Sequence, residues 1–203
     1  VSGSGELVLL EFGVIADGDV SSVIDLVSAQ INEGYIETAL VDGSFTTAAG
    51  FNISGRVRFW DASNTPVAAT VTLDNSLEEV SDGQTGQFQF SGVLDGTHTL
   101  NIEKEDGIND SIRGYDASLI LSHVVGSATL TGSALAAADV TGNGEISALD
   151  ASKVLEVAAG LETVPFANQA SAWAFEPAER RYDEITSNIT NADFTAIFMG
   201  DVS

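Results

Sequence analysis

The sequence predicts a multi-domain, mainly β chain that carries a small α module. Three observations lead there. Short runs of β-branched and aromatic residues alternate with Gly, Asp and Asn turns through residues 1–104. The apolar period then becomes helical over residues 105–160. Within that stretch the chain repeats itself: Asp116-Ala117-Ser118 returns as Asp150-Ala151-Ser152, 34 residues later.

Residues 1–47 read as β-structure. Leu7–Ile15, Val23–Ile31 and Ile36–Phe45 are strand-like runs, separated by Asp17-Gly18 and Asn32-Glu33-Gly34 turns. A short small-residue linker, Thr46 to Gly50, follows. Residues 51–104 form a second β-block. Phe51–Phe59 alternates apolar and polar residues, Val67–Leu73 is a strand, and Gly86–Phe90 and His98–Ile102 follow the turns at Asp82-Gly83 and Asp95-Gly96. Strands at this spacing predict a small sandwich.

In residues 105–160, Leu119, Ile120 and Val124 mark one helix, and Val154, Leu155 and Ala158 mark another. Ile112 matches Ile146, Leu121 matches Leu155 and Gly126 matches Gly160. In each copy an Asp sits at the helix start, where the dipole favours a carboxylate, and a Gly stands at the helix end. Residues 161–203 hold Trp173, Phe175, Tyr182, Phe194 and Phe198, too many aromatics for a disordered linker. The expectation is a tail that packs on the other modules.

The charge balance narrows the function classes. Thirty acidic residues face seven basic ones, for a formal net charge of −23. Nucleic acids and anionic membranes both require basic patches, so neither is expected as a partner. Hydrophobic residues at 44% are enough for a packed core. The absence of cysteine removes disulfides, thiolate metal sites and cysteine catalysis. No apolar run reaches transmembrane length, so membrane insertion is not expected. Val1 leads almost directly into a strand-like run, which reads as a mature or trimmed chain.

Asp139–Asp150 is a twelve-residue candidate calcium loop. Calcium takes six to eight oxygen ligands. Asp139, Thr141, Asn143, Ser147 and Asp150 bring side-chain oxygens at loop positions 1, 3, 5, 9 and 12. Gly144 permits the sharp turn, Glu145 would offer its backbone carbonyl, and Ile146 is the apolar anchor. An Asx/Gly turn capping a helix explains any one of these residues but not the whole set. Thr141 in place of Asn or Asp, and Asp150 in place of a long bidentate Glu, should weaken affinity. In the first copy Glu105, Gly107, Asn109, Ser111 and Arg113 fall at positions 1, 3, 5, 7 and 9, with Asp116 at 12. Gly107 has no side-chain oxygen and Arg113 brings a positive charge; Asp106 can substitute by a shifted path of the chain. The first-copy candidates are therefore Asp106, Asn109, Ser111 and Asp116, with a cation site and a metal-free turn both open.

These two tandem loop–helix units resemble a dockerin. The resemblance implies calcium as the bound ion and a cohesin-like module as the protein partner. It also implies an extracellular or cell-surface bacterial setting. In dockerins the pair before the last loop Asp helps read the cohesin; here those pairs are Gly114-Tyr115 and Ala148-Leu149. Residues 51–104, with Ser81-Asp82-Gly83, Gly86–Phe90 and Gly96–Leu100, resemble a carboxypeptidase-regulatory-like or collagen-adhesin B-type module, a prealbumin-like β-sandwich. No Lys precedes Lys104 in that block, so an internal isopeptide of the usual kind is not expected. Gly5–Phe12 and Leu40–Phe45 resemble the last strands of a cohesin-like sandwich, which would be incomplete here. Three strands cannot bury both faces alone. Either the chain is trimmed, or the missing strands come from another chain, copies of this one included. The tail, with Trp173, Phe175, Pro177, Arg180-Arg181-Tyr182 and Asp193–Thr195, is similar to segments that follow dockerin repeats in some marine and environmental bacterial surface proteins.

No enzyme is expected. His98 and His123 lie in different modules and neither has a Ser or Cys nucleophile motif nearby. The leading expectation is a non-catalytic extracellular module for cohesin–dockerin-type assembly. A filament or surface-layer subunit built by strand exchange through residues 1–47 is the alternative. An accessory region of a polysaccharide-degrading enzyme, with polysaccharide association, is the third.

Overall fold

The computed structural model describes residues 21–28, 39, 41–46, 50–105 and 111–203. The chain divides into two compact units, Val1–Gly50 and Phe51–Ser203.

In the first unit, β1 (Ser21–Ile24) pairs antiparallel with β2 (Gly43–Thr46), with Ser22 opposite Phe45. The expected strands run longer than this. Asp25–Ser28 leave the ladder, and the Leu26 N–H donates to the Asp42 side chain at 3.0 Å instead of to a facing strand. Val23, Val27, Val41 and Phe45 are exposed. The predicted strand Leu7–Ile15 lies outside the described residues.

The second unit is mainly β with three helices among the described residues. Its strands are β3 (Phe51–Phe59), β4 (Thr70–Leu73), β5 (Leu77–Val80), β6 (Gln87–Val93), β7 (His98–Glu103), β8 (Trp173–Glu176), β9 (Glu179–Tyr182) and β10 (Phe194–Phe198). They form two four-stranded sheets, ordered β6-β3-β10-β8 and β5-β4-β7-β9. Strand alternation sets the faces: Ile53, Val57, Phe88 and Phe90 from one sheet join Val71, Leu73 and Leu100 from the other in one buried core.

Strand β4 is shorter than the run Val67–Leu73. The buried Ser81 hydroxyl donates to the Val67 carbonyl at 2.7 Å and accepts the Ala69 N–H at 2.9 Å, doing locally what a ladder would do. The final segment is part of both sheets. Phe194–Phe198 inserts between β3 and β8, parallel to β3, and its residues are mostly buried. A central strand covered on both faces needs such an apolar run. Strand β9 pairs with β7 at the edge of the other sheet. Gly55 is required on β3, because a Cβ there would overlap the Ala192 carbonyl.

The helices are α1 (Gly114–Val124), α2 (Ser133–Ala138) and α3 (Ala148–Ala158). Helix α1 packs against α3, and α2 lies against β10. Ala117, Ile120, Ala151 and Val154 are buried at matching positions of the two repeats. No helix among the described residues is long and apolar enough to cross a membrane.

Candidate metal centre

The two long helices start and stop the same way. The N-cap residues Arg113 and Ser147 are extended, and their backbone N–H groups donate to Asp116 Oδ2 at 2.8 Å and Asp150 Oδ2 at 2.9 Å. Each carboxylate therefore caps its own helix at the third position, where it also meets the positive end of the dipole. At the other end, Gly126 and Gly160 are left-handed (φ +74° and +71°) and close matching Schellman turns. The Gly N–H groups bond His123 and Val157 carbonyls, and the following N–H groups bond Ser122 and Glu156.

The Asp139–Asp150 loop folds its oxygens toward one another. Thr141 Oγ1 lies 2.9 Å from Asp150 Oδ1 and 3.4 Å from Asp139 Oδ1, so positions 1, 3 and 12 converge. Asp139 also accepts the N–H groups of Asn143 (3.2 Å) and Gly144 (2.8 Å), which bends the chain at Gly144, where φ is +83°. Asn143 Oδ1 accepts the Glu145 N–H at 2.8 Å, and the Glu145 side chain is exposed. Ser147 is committed to the helix: its hydroxyl donates to Asp150 Oδ2 at 2.9 Å and accepts the Leu149 N–H at 3.2 Å.

Asp150 is fully buried. Burial pushes its carboxyl up, but the hydrogen bonds from Ser147 and Thr141 outweigh that and hold it below the ordinary carboxylate value. Among the described residues no Lys or Arg side chain pairs with Asp139 or Asp150; Lys153 pairs with Glu156 at 2.7 Å. A buried carboxylate held ionised beside a second one, with hard oxygen donors between them, suits a hard cation such as calcium.

The described part of the first loop has other contacts. Asp106 and Asn109 lie outside the described residues. Asp116 is fully buried like Asp150, but its Oδ1 accepts the N–H of Val202 at 3.1 Å, from the far end of the chain. Beside it stands Asp201, whose side chain bonds the Ser111 hydroxyl and the Ser203 N–H. Burial, and then the charges of Asp116 and Asp61, push the Asp201 carboxyl up to about 6. Nothing local in the sequence links Asp201 to the first loop.

The exposed sides of α1 and α3 carry large apolar residues. Tyr115, Leu121, Leu149 and Leu155 are 63%, 44%, 55% and 53% exposed. Tyr115 and Leu149 belong to the Gly114-Tyr115 and Ala148-Leu149 pairs. Leu155 reaches to 3.9 Å from where a Gly114 Cβ would stand, so the two helices present neighbouring apolar groups.

Both histidines sit in structural bonds. His98 joins Asp74 at 2.6 Å and the Leu94 carbonyl at 3.0 Å, tying the turn after β4 to β7. His123 accepts the Leu130 N–H at 3.1 Å. Arg180 donates to the Asp193 carbonyl and lies over the Phe194 ring, while Arg181 pairs with exposed Asp183.

Comparison with protein families matches residues 108–156 to the Dockerin type I domain. Domains of this family are calcium-binding modules of protein–protein interaction. The match spans α1, α2 and the second loop, and it stops inside α3. No curated protein and no solved structure matches the chain.

Proposed function

We propose that this chain is a non-catalytic calcium-binding module that works outside the cell and docks a cohesin-like protein partner. One observation carries the reading: Asp139, Thr141 and Asp150 converge at the second loop around a fully buried carboxylate that, among the described residues, pairs with no Lys or Arg side chain. The ligands would be the side chains of Asp139, Thr141, Asn143 and Asp150 with the Glu145 carbonyl. Ser147 would act by holding Asp150. Bound calcium would supply the positive charge that this loop lacks. In the first loop Ser111 and Asp116, with Asp106 and Asn109, would form the weaker counterpart. Because these oxygens converge only in the folded loop, calcium would act as a folding ligand, stabilising by binding the native state alone. The partner would meet Tyr115, Leu121, Leu149 and Leu155, since exposed apolar clusters mark interaction surfaces. The two-sheet body then serves as a rigid spacer of the carboxypeptidase-regulatory-like kind.

Calorimetric titration of the full chain after chelation tests the reading. Calcium uptake with a rise in melting temperature is expected, and Asp139→Ala should lose both. A wild-type chain that takes up no calcium would sink the proposal.

A second reading rests on the first unit. Its described ribbon is two-stranded, with Val23, Val27, Val41 and Phe45 exposed. Such a ribbon is marginal alone. Strand addition from another copy would cover it and build a filament or surface layer. Sedimentation at high concentration with calcium discriminates: a stable monomer overturns this reading.

A further inference from the structure

The second loop is also gripped from outside the segment that matches a known family. The match ends at residue 156, and the chain then passes the end of α3 and returns at Phe166–Ser171. Phe166 is buried, and its ring lies 3.0 Å from where a Gly200 Cβ would stand, with Ile112 at 3.1 Å on the same spot. That contact fixes a turn to the end of β10. The turn closes with the Gln169 N–H on the Phe166 carbonyl at 2.8 Å.

From this anchored turn, side chains reach the starts of both loops. Gln169 Nε2 donates to the Asp139 carbonyl at 3.0 Å. Asn168 Nδ2 reaches the Thr141 carbonyl at 3.4 Å. Ser171 Oγ donates to the carbonyl of Lys104, the residue just before the first loop, at 3.1 Å. Asp139 is where the grip matters most. It is the C-cap of α2, a six-residue helix with little stiffness of its own, and it supplies loop position 1. Within the loop its carbonyl receives the Gly142 N–H at a long 3.3 Å, so the Gln169 amide is the shorter restraint.

We propose that Gln169 is a positioning residue of the Asp139–Asp150 loop, and that the turn Phe166–Ser171 straps the starts of both loops to the β-sandwich. Holding the Asp139 backbone holds its carboxylate where Thr141, Asn143 and Gly144 meet it. A calcium loop assembled in this way pays less ordering entropy on binding, which is how outer contacts raise metal affinity. The proposal rests on the calcium reading of the loop.

Gln169 also offers a clean test. Its Oε1 is buried and has no hydrogen-bond partner among the described residues. Gln169→Met keeps the length of the side chain, removes that unpaired oxygen and removes the Nε2 donor. The calcium-free melting temperature should therefore stay the same or rise. The calcium dissociation constant of the full chain, titrated with the metal alone, should weaken about 10-fold, the low end for lost outer-shell contacts. Gln169→Ala should weaken it as much, and its calcium-free melting temperature guards against a packing fault in the Met variant. A purely structural residue would shift melting equally with and without calcium and leave the dissociation constant alone; that result overturns the proposal. If the wild type binds calcium and both variants bind it equally well, the proposal fails while the calcium reading stands. If the wild type binds none, both fall.

Discussion

The two loop–helix repeats use one carboxylate in two ways. Asp116 and Asp150 are equally buried, and each turns Oδ2 to the N–H that opens its helix. Their Oδ1 atoms differ. Asp150 spends it inside its own loop, on the N–H and hydroxyl of Thr141. Asp116 spends it on Val202, 86 residues away. The position that Thr141 fills in the second loop is Gly107 in the first, which has no hydroxyl to offer. The two repeats thus share the helix and its caps, while the last carboxylate of one loop turns to its own threonine and that of the other also receives the backbone of Val202. In a tandem pair, helix register tells little about whether the loop in front of it still serves an ion.

The sharpest way to break this comparison is to neutralise each carboxylate in turn. Asp150→Asn keeps the shape but removes a charge from the proposed ligand set. In a hundredfold excess of calcium over its dissociation constant, the wild type gains about 2.7 kcal/mol, and the variant should forfeit nearly all of that. Part of the helix cap, about 1 kcal/mol, should go as well. Asp116→Asn should weaken the cap and the tie to Val202, yet leave calcium uptake by the second loop intact. Calorimetric titration with chemical denaturation separates the two. Equal losses of calcium affinity would mean that both loops serve the ion alike.

Acid should act on the two loops with opposite sign. Asp150 is held below its unfolded value, so it contributes stability above that value and loses it as pH falls through the folded pKa. Asp201, beside Asp116, runs the other way. Its folded value is about 6 against 3.8 unfolded, so the folded chain prefers it protonated. Stability from this group falls as pH rises from roughly 4 to 6, and the full penalty stands at pH 7. In chelator, Asp201→Asn should add roughly 2 to 3 kcal/mol at pH 7 and close to nothing near pH 4. Urea denaturation of both chains at the two pH values measures it. An equal gain at both would place the cause in packing and not in charge.

How much of this was legible in sequence follows from the range over which each feature is encoded. Asp139–Asp150 and the two helices could be read because a twelve-residue pattern and a short-range repeat encode them locally. Strands β3, β6 and β7 showed their alternation. Helix α2 did not, since Ser133–Ala138 is a six-residue run of small side chains without a usable period. Strand β5 did not either, since Leu77-Glu78-Glu79-Val80 has no alternation and lies fully exposed at a sheet edge. Strands β8 to β10 are four or five residues long and owe their pairing to partners across the chain, such as Phe194 with Val57. The tail's aromatics signalled packing, but no local rule says against what. Asp201 and Gln169 escaped for the same reason: a lone carboxylate and a lone amide become part of a loop's surroundings only through tertiary contact.

The smallest effect gives the most exacting comparison, because the two repeats should then behave identically. Gly126 and Gly160 both adopt left-handed φ, and a Cβ added at either would meet nothing within 4 Å. Substituting Ala at either one therefore costs backbone conformation alone, about 1 kcal/mol, with no steric term to separate them. In the 153-residue second unit, that should lower the melting point by about 2 to 4 °C. The two single variants should match each other in chelator. In calcium they should still match, because both turns lie at the far end of their helices from the loops. Unequal costs would show that the helices are stabilised differently, and that the asymmetry of the pair extends beyond the loops into the helices themselves.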